Sequence, residues 1–327
     1  MSSPVQVSAA EAVRRETEVV VAAPKQSVRT YTDLVKLRVT LLVVATAWTG
    51  YYLACVRSMQ SSLAWGELHA MLGIGLASGG AAALNQVLER REDSLMHRTR
   101  MRPLPSGTMT WMQATIIGVG MIAGACAYLA YFANPLTAAL TLFTALSYVF
   151  LYTPLKKRSP IATLIGAVPG AMPPLLGWTA VRGRLEWEAV VLFAIVFVWQ
   201  FPHFQAIAWL YREDYARAGI QMLPVAAPDG HLVAREVIVY SALLLPVSLM
   251  PTLMHMAGVT YFVAATVLGL AVLWYALKFT KIPQQPDAPV SKKYARQLLR
   301  MSVIYLPILF GFLMCNAAAP VIYLEPK

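Results

Sequence analysis

From Pro103 to Leu155 the chain carries no Asp, Glu, Lys or Arg, and the same holds from Val237 to Leu277 and from Met301 to Leu324. A bilayer core is crossed by about 20 apolar residues of α-helix, so the first two runs each hold two crossings. Asn134-Pro135 and the segment His255 to Gly258 supply the turns within them, because Pro and Gly interrupt helices and favour tight connections. Shorter runs at Val39 to Val56, Leu68 to Leu88, Ile161 to Val181 and Ala189 to Leu210 bring the total to nine. Only 13% of the chain is charged, well below the roughly 25% of an ordinary soluble domain. The fold expected is all-α, a polytopic membrane protein with nine transmembrane helices in a single domain over residues 31–327.

The basic residues set its orientation. Lys and Arg collect on the cytoplasmic side of membrane proteins. With the N-terminus inside, 23 of the 27 fall in the tail and in the loops after spans two, four, six and eight. Arg57, Arg182, Arg184 and Lys327 alone fall outside, which predicts a cytoplasmic N-terminus and an external C-terminus. The formal charge of +11 is therefore a topology signal, and no nucleic acid partner is expected. Residues 1–30 contain Glu11, Glu16 and Glu18 and no long apolar core; they read as a disordered cytoplasmic tail. Cys55, Cys126 and Cys315 are too dispersed for a metal or haem attachment site and read as packing residues. Span five is rich in Gly and Pro between Gly166 and Gly177, a pattern of kinked helices packed through small residues, although a kink can also open a cavity. Acid-containing loops follow spans two and six, and lysine pairs follow spans four and eight. Two four-helix units plus a ninth helix would account for that spacing.

If span two stays helical through the loop that follows it, Asn85, Glu89 and Asp93 recur at i, i+4 and i+8 on one face. Such a ladder suits Mg²⁺, which takes a few carboxylate oxygens together with substrate phosphate. Arg98 and Arg102 follow with guanidinium forks for phosphate oxygens. Taken alone, these charges could equally cap a helix and solvate a loop. A second cluster, Tyr211-Arg-Glu213-Asp214-Tyr215, closes span six on the same side. His203 lies inside the apolar run eleven residues before Asp214, close to three helical turns, so an unbroken helix would set the two on one face. Ionisable groups within spans are functional candidates, and a hydrogen-bonded core histidine is the plainer alternative. Lys156 and Lys157 belong to that side too, where lysines also serve as headgroup anchors.

Three segments carry a resemblance: Asn85 to Gly107; Tyr152 to Arg158 running on to Pro169-Gly-Ala-Met-Pro-Pro174; and Pro202-His203-Phe204 through Asp214-Tyr215 to Pro224. Together the chain resembles the UbiA-like intramembrane prenyltransferases, and within them the haem-prenylating branch, over roughly residues 31 to 320 of the nine-span frame. The resemblance implies transfer of a farnesyl group from farnesyl diphosphate to a vinyl group of haem B. Haem O results, for use by a haem A synthase or a terminal oxidase. It implies Mg²⁺ as cofactor, with Asn85, Glu89, Asp93 and Asp214 as its ligands. Asn85, Glu89, Asp93, Asp214 and Lys156 are the implied catalytic groups, and Arg98, Arg102, Lys156 and Lys157 the diphosphate-binding ones. His203, Tyr211 and Tyr215 would bind or orient haem. Glu89 stands where many members carry Asp, and Tyr211 and Tyr215 occupy the outer positions of the superfamily's second aspartate ladder. Tyr148, Tyr152, Tyr211 and Tyr215 could shelter an allylic cation through their π faces. The expected location is the bacterial inner membrane, with the active-site mouth on the cytoplasmic face. Within the class the rival is a prenyltransferase for a quinone precursor or other aromatic acceptor. Outside it stand a secondary transporter, whose coupling residues belong near the midplane, and a structural haem-carrying subunit.

Overall fold

The computed structural model describes residues 26–59 and 64–318. The tail expected over residues 1–30 falls mostly on residues 1–25, outside the described residues, and the chain is already helical at Val28. Among the described residues nine helices are long and apolar enough to cross a membrane. They are Leu37–Arg57, Ala64–Leu95, Trp111–Phe132, Pro135–Leu155, Ala162–Arg182, Trp187–Leu210, His231–Leu253, Val259–Phe279 and Pro289–Cys315, called spans one to nine below. Spans one to four follow one another as antiparallel neighbours, as do five to eight. Span nine packs on spans six and eight, and span five joins the two groups by lying along span one.

The turns form where the sequence puts its breakers. Asn134 caps span four by accepting from the Thr137 amide at 2.9 Å, with Pro135 at the first helical position, where its missing N–H costs nothing. Its side-chain amide also donates to the Thr179 carbonyl of span five at 2.8 Å. Between spans seven and eight, His255 takes a left-handed backbone and Gly258 caps the next helix. Span nine begins twelve residues before the charge-free run, because its first turns are amphipathic. Ser291, Ala295, Leu298 and Ser302 are buried at helical spacing, while Arg296 and Arg300 are exposed. It ends at Cys315, where the Asn316 side chain accepts from the Tyr261 amide. The remainder of the expected run lies partly outside the described residues.

Span five stays helical through Pro169, Pro173 and Pro174. A Cβ on its Gly177 would stand 1.8 Å from the Ala47 carbonyl oxygen of span one, and one on Gly50 equally close to that of Pro174. The two helices touch backbone to backbone, which small residues make possible. Of the cysteines Cys55 is buried, Cys126 half-buried and Cys315 exposed.

Span two is the element that builds the site. Its 32 residues reach about 48 Å at 1.5 Å per residue, against a hydrocarbon core of about 30 Å. Its last turns therefore project beyond the apolar slab, and they carry the acid ladder with them.

Candidate active site

The helix runs unbroken to Leu95, so Asn85, Glu89 and Asp93 do share a face. They are 1%, 2% and 0% exposed respectively. Carboxylates this buried require partners, and each has a cation. Lys156 Nζ, just past the end of span four, lies 2.5 Å from Glu89 Oε1. Arg102 Nη1 donates to both oxygens of Asp93 at 2.9 and 2.7 Å. The Asn85 carbonyl oxygen accepts from Lys36 Nζ at 2.7 Å, and its amide donates to Thr153 Oγ1 at 3.1 Å. One turn outward, Lys157 pairs with Glu92 at 2.7 Å.

The loop after span two folds back because Thr99 Oγ1 donates to the Asp93 carbonyl and the Thr99 and Arg100 amides donate to that of Met96. That reversal carries Arg102 to Asp93. Arg98 points to the other wall. Its Nη2 donates to Tyr215 Oη at 3.2 Å, and its guanidinium lies 4.6 Å from the centre of the Tyr211 ring. Among the described residues no carboxylate lies within ion-pair distance of Arg98.

The second cluster reaches this wall by a break in the helix. Span six stops at Leu210; Tyr211 leaves the helical backbone, and a separate short helix runs Arg212–Arg217. The expected common face of His203 and Asp214 is therefore lost. Asp214 turns to Arg217 at 2.7 Å and to the backbone N–H groups of His97 and Arg98. Burial works to raise its pKa, but these bonds together hold it below the usual carboxylate value. It buckles the two loops together and does not join the Asn85 ladder. His203 Nδ1 lies 2.9 Å from Ser302 Oγ of span nine, with its ring stacked on Trp199. It sits between spans six and nine, apart from the ladder's polar partners.

Gly219 in a left-handed turn lets the chain double back, and the Gln221 amide donates to the Lys156 carbonyl at 2.9 Å. Met96, Ala208, Tyr215, Ala218, Ile220 and Met222 pack as one apolar cluster beneath this junction. On the span-four wall the helix widens to a π-helical stretch, Ser147–Tyr152, a feature common at functional sites. Tyr148 and Tyr152 stack there at 5.4 Å, with Lys156 Nζ 5.6 Å from the Tyr152 ring. The Tyr152 ring lies flat on Gly166, where a Cβ would come within 2.4 Å of it.

Burial opposes the charge on Lys156, but Glu89 more than offsets it and raises its pKa. Among the described residues Lys36 has no such carboxylate partner, and burial, reinforced by Arg102, lowers its pKa to about 7. Lys36, Thr153 and Gln86 are site residues that sequence reasoning passed over. Lys36 was legible only as one more basic residue before span one, and the other two as neutral polar residues in helices.

Among the described residues no three of His, Cys, Asp and Glu gather into a closed metal cage. The donor set that is present, two carboxylates and an amide oxygen in one row, nonetheless fits Mg²⁺, whose remaining positions are commonly filled by water and substrate phosphate.

A nine-span helical bundle with an acid row at one mouth, ringed by Lys and Arg, defines an intramembrane enzyme for an anionic substrate. The chain belongs to the UbiA prenyltransferase family, whose model matches residues 42–304. Its similarity extends to a protoheme IX farnesyltransferase of Koribacter versatilis (strain Ellin345), 54% identical over 88% of this chain and 93% of that protein. Among solved structures, one described as a digeranylgeranylglyceryl phosphate synthase matches with a TM-score of 0.71 at 16% identity, covering 88% of this chain and 97% of that one. A UbiA homologue from Archaeoglobus fulgidus, bound to DMAPP and Mg²⁺, matches at 0.59 and 17% identity, covering 87% and 99%. These two likenesses establish the fold. The family membership sets the transporter and structural-subunit readings aside.

Proposed function

We propose that the protein transfers the farnesyl group of farnesyl diphosphate to a vinyl group of haem B, with addition of water, giving haem O. The observation that carries the acceptor is the 54% identity with a protein named protoheme IX farnesyltransferase, spread over nearly the whole length of both chains. The site geometry supports the donor half. Asn85, Glu89 and Asp93 are the residues to hold Mg²⁺, and Asp214, paired with Arg217 at 2.7 Å, serves the site as a loop clasp. The ion, when bound, would neutralise diphosphate charge.

Arg98, Arg102 and Lys156 surround the position where the leaving diphosphate gathers negative charge. Preorganised donors of this kind stabilise developing charge without reorganising at the moment of reaction. Lys157, engaged by Glu92, contributes to the field from the rim. As the allylic carbon–oxygen bond breaks, the electron pair leaves with diphosphate. The vinyl π electrons form the new carbon–carbon bond, and water adds to the resulting haem-side cation and releases a proton. Stacked Tyr148 and Tyr152 line one wall and Tyr211 and Tyr215 the other, giving π faces to the allylic cation and limiting early attack by water. His203, with Trp199 and Ser302, orients the acceptor from the side of spans six and nine.

The nine apolar helices support placement in a membrane, here the bacterial inner membrane, and the charge distribution supports setting this mouth, and the N-terminus, on the cytoplasmic face. The test is mass spectrometry of haem extracted after incubating purified protein with haem B, farnesyl diphosphate and Mg²⁺, with an EDTA control. Magnesium-dependent appearance of hydroxyethylfarnesyl haem is expected. Unmodified haem alongside prenylated aromatic acids would move the protein to the sister enzymes.

A further inference from the structure

Lys36 is held in place by more structure than a topology lysine needs. It occupies the two-residue break between the helix Val28–Leu34 and span one, with φ 47° and ψ 53°. Few non-glycine residues adopt this left-handed region, and those that do are often held there at functional sites. The surroundings over-determine the turn. Gln86, fully buried in span two, donates from one side-chain nitrogen to the carbonyls of Asp33 at 2.9 Å and Leu34 at 2.7 Å. Thr40 Oγ1 donates to the Val35 carbonyl at 2.8 Å. Leu34 is packed with Ala83, Val87, Met109 and Ala114. Val35 lies over Gly79, where a Cβ would stand 3.2 Å from its own.

The result is one ammonium delivered to the head of the acid ladder. An ammonium has three donors. Asn85 Oδ1 takes one, and among the described residues no carboxylate lies within ion-pair distance to take the others. Among the described residues four basic side chains, Lys36, Arg102, Lys156 and Arg98, meet two carboxylates, Glu89 and Asp93, at this mouth, so donors outnumber the acids that could take them. An anion of several charges would balance that excess.

We propose that Lys36 is a diphosphate-binding residue of this site, its free N–H groups meeting the leaving diphosphate from the side of span one, opposite Arg98. Gln86 is the positioning residue that fixes the turn. The inference rests on the prenyl-transfer reading above and adds a cation to the donor subsite.

The test uses full-length protein in detergent and inorganic pyrophosphate with Mg²⁺ as probe, titrated calorimetrically beside a separate haem B titration. Lys36→Met is expected to weaken pyrophosphate tenfold or more and to raise the KM for farnesyl diphosphate by a similar factor. Haem B binding and thermal unfolding should stay at wild-type values, and Lys36→Arg should recover most of the loss. Pyrophosphate affinity within twofold of wild type in Lys36→Met overturns the proposal. If that variant fails to fold, the wild-type protein carries the test through acetylation of Lys36 by acetic anhydride, read by peptide mass spectrometry. Protection by Mg²⁺ and pyrophosphate but not by haem B is expected, and equal acetylation with and without them overturns the assignment. Wild-type protein that prenylates nothing and ignores pyrophosphate would instead bring down the donor-site reading on which the proposal stands.

Discussion

Arg102 Nη1 spans the two oxygens of Asp93, and the carboxylate it holds is fully buried. Removing either partner has a different consequence. Asp93→Ala deletes an oxygen of the proposed metal row while its former partner, partly open to water, can be solvated. Turnover should fall at least ~100-fold, the scale of losing one transition-state charge contact, in protein that still folds. Near-normal turnover would sink the metal assignment. Arg102→Ala strands a buried charge, which costs about 3–5 kcal/mol when a buried pair is broken, so thermal unfolding in detergent should show a large loss.

The acids of the ladder are already engaged by Lys156 and Arg102, so a metal arriving alone must compete with two ion pairs. A metal arriving with diphosphate supplies the displaced cations with new partners. Mg²⁺ and pyrophosphate should therefore bind cooperatively, each raising the affinity of the other by the same factor. Calorimetry of Mg²⁺ with and without pyrophosphate checks this, and equal magnesium affinity in the two titrations would refute it.

The contact between Gly177 and the Ala47 carbonyl leaves no space for a methyl group. Gly177→Ala must push spans one and five apart, and overpacking of this kind costs about 1–3 kcal/mol. A drop of several degrees in the unfolding temperature is expected. Because Lys36 caps the start of span one, diphosphate affinity should fall with it; an unchanged melting curve would show that the spans separate freely.

The number of spans was legible because lipid exposure forbids charge and the interruptions are chemical, as at Asn134-Pro135. The ladder was legible because helical spacing alone sets Asn85, Glu89 and Asp93 in a row, whatever the tertiary fold. Three things were hidden. The start of span nine at Pro289 carries Lys292, Lys293, Arg296 and Arg300, so an apolar-run criterion misses a helix whose buried face shows only in its amphipathic period. The break at Tyr211 removes the register that would have aligned His203 with Asp214, and neither Gly nor Pro marks it. Lys36 was hidden for a third reason. Its partner Asn85 is 49 residues away, a tertiary relation with no local spacing to betray it.

His203 accepts from or donates to Ser302 Oγ at 2.9 Å and stacks on Trp199 at 4.6 Å. No contact ties it to the acid ladder. His203→Ala should weaken haem B binding while leaving pyrophosphate binding at its wild-type value. Separate titrations of the two substrates decide this, and parallel losses in both would place His203 in the donor subsite after all.

Far from the catalytic mouth, Glu186 accepts from Arg182 Nε and Nη2, Trp178 Nε1 and Arg184 Nε, all between 2.7 and 2.8 Å. Arg182 Nη1 extends the clasp to Ser58 Oγ at the end of span one. The Arg182 hydrogen bonds, with those of Trp178 and Arg184, lower the Glu186 pKa from 4.5 to about 2. A carboxylate depressed on folding stabilises the fold above its unfolded pKa and loses that contribution as pH falls through the folded value. The clasp is therefore intact above about pH 4.5 and lost on acidification toward pH 2. Glu186→Gln keeps the shape but not the charge, so it should destabilise the protein at pH 7 and converge on wild type as the pH falls through that window. Thermal unfolding of both proteins across pH 2 to 7 gives the comparison, and a difference between them that is constant over the range would remove Glu186 as the charge that ties spans one and five together at this end.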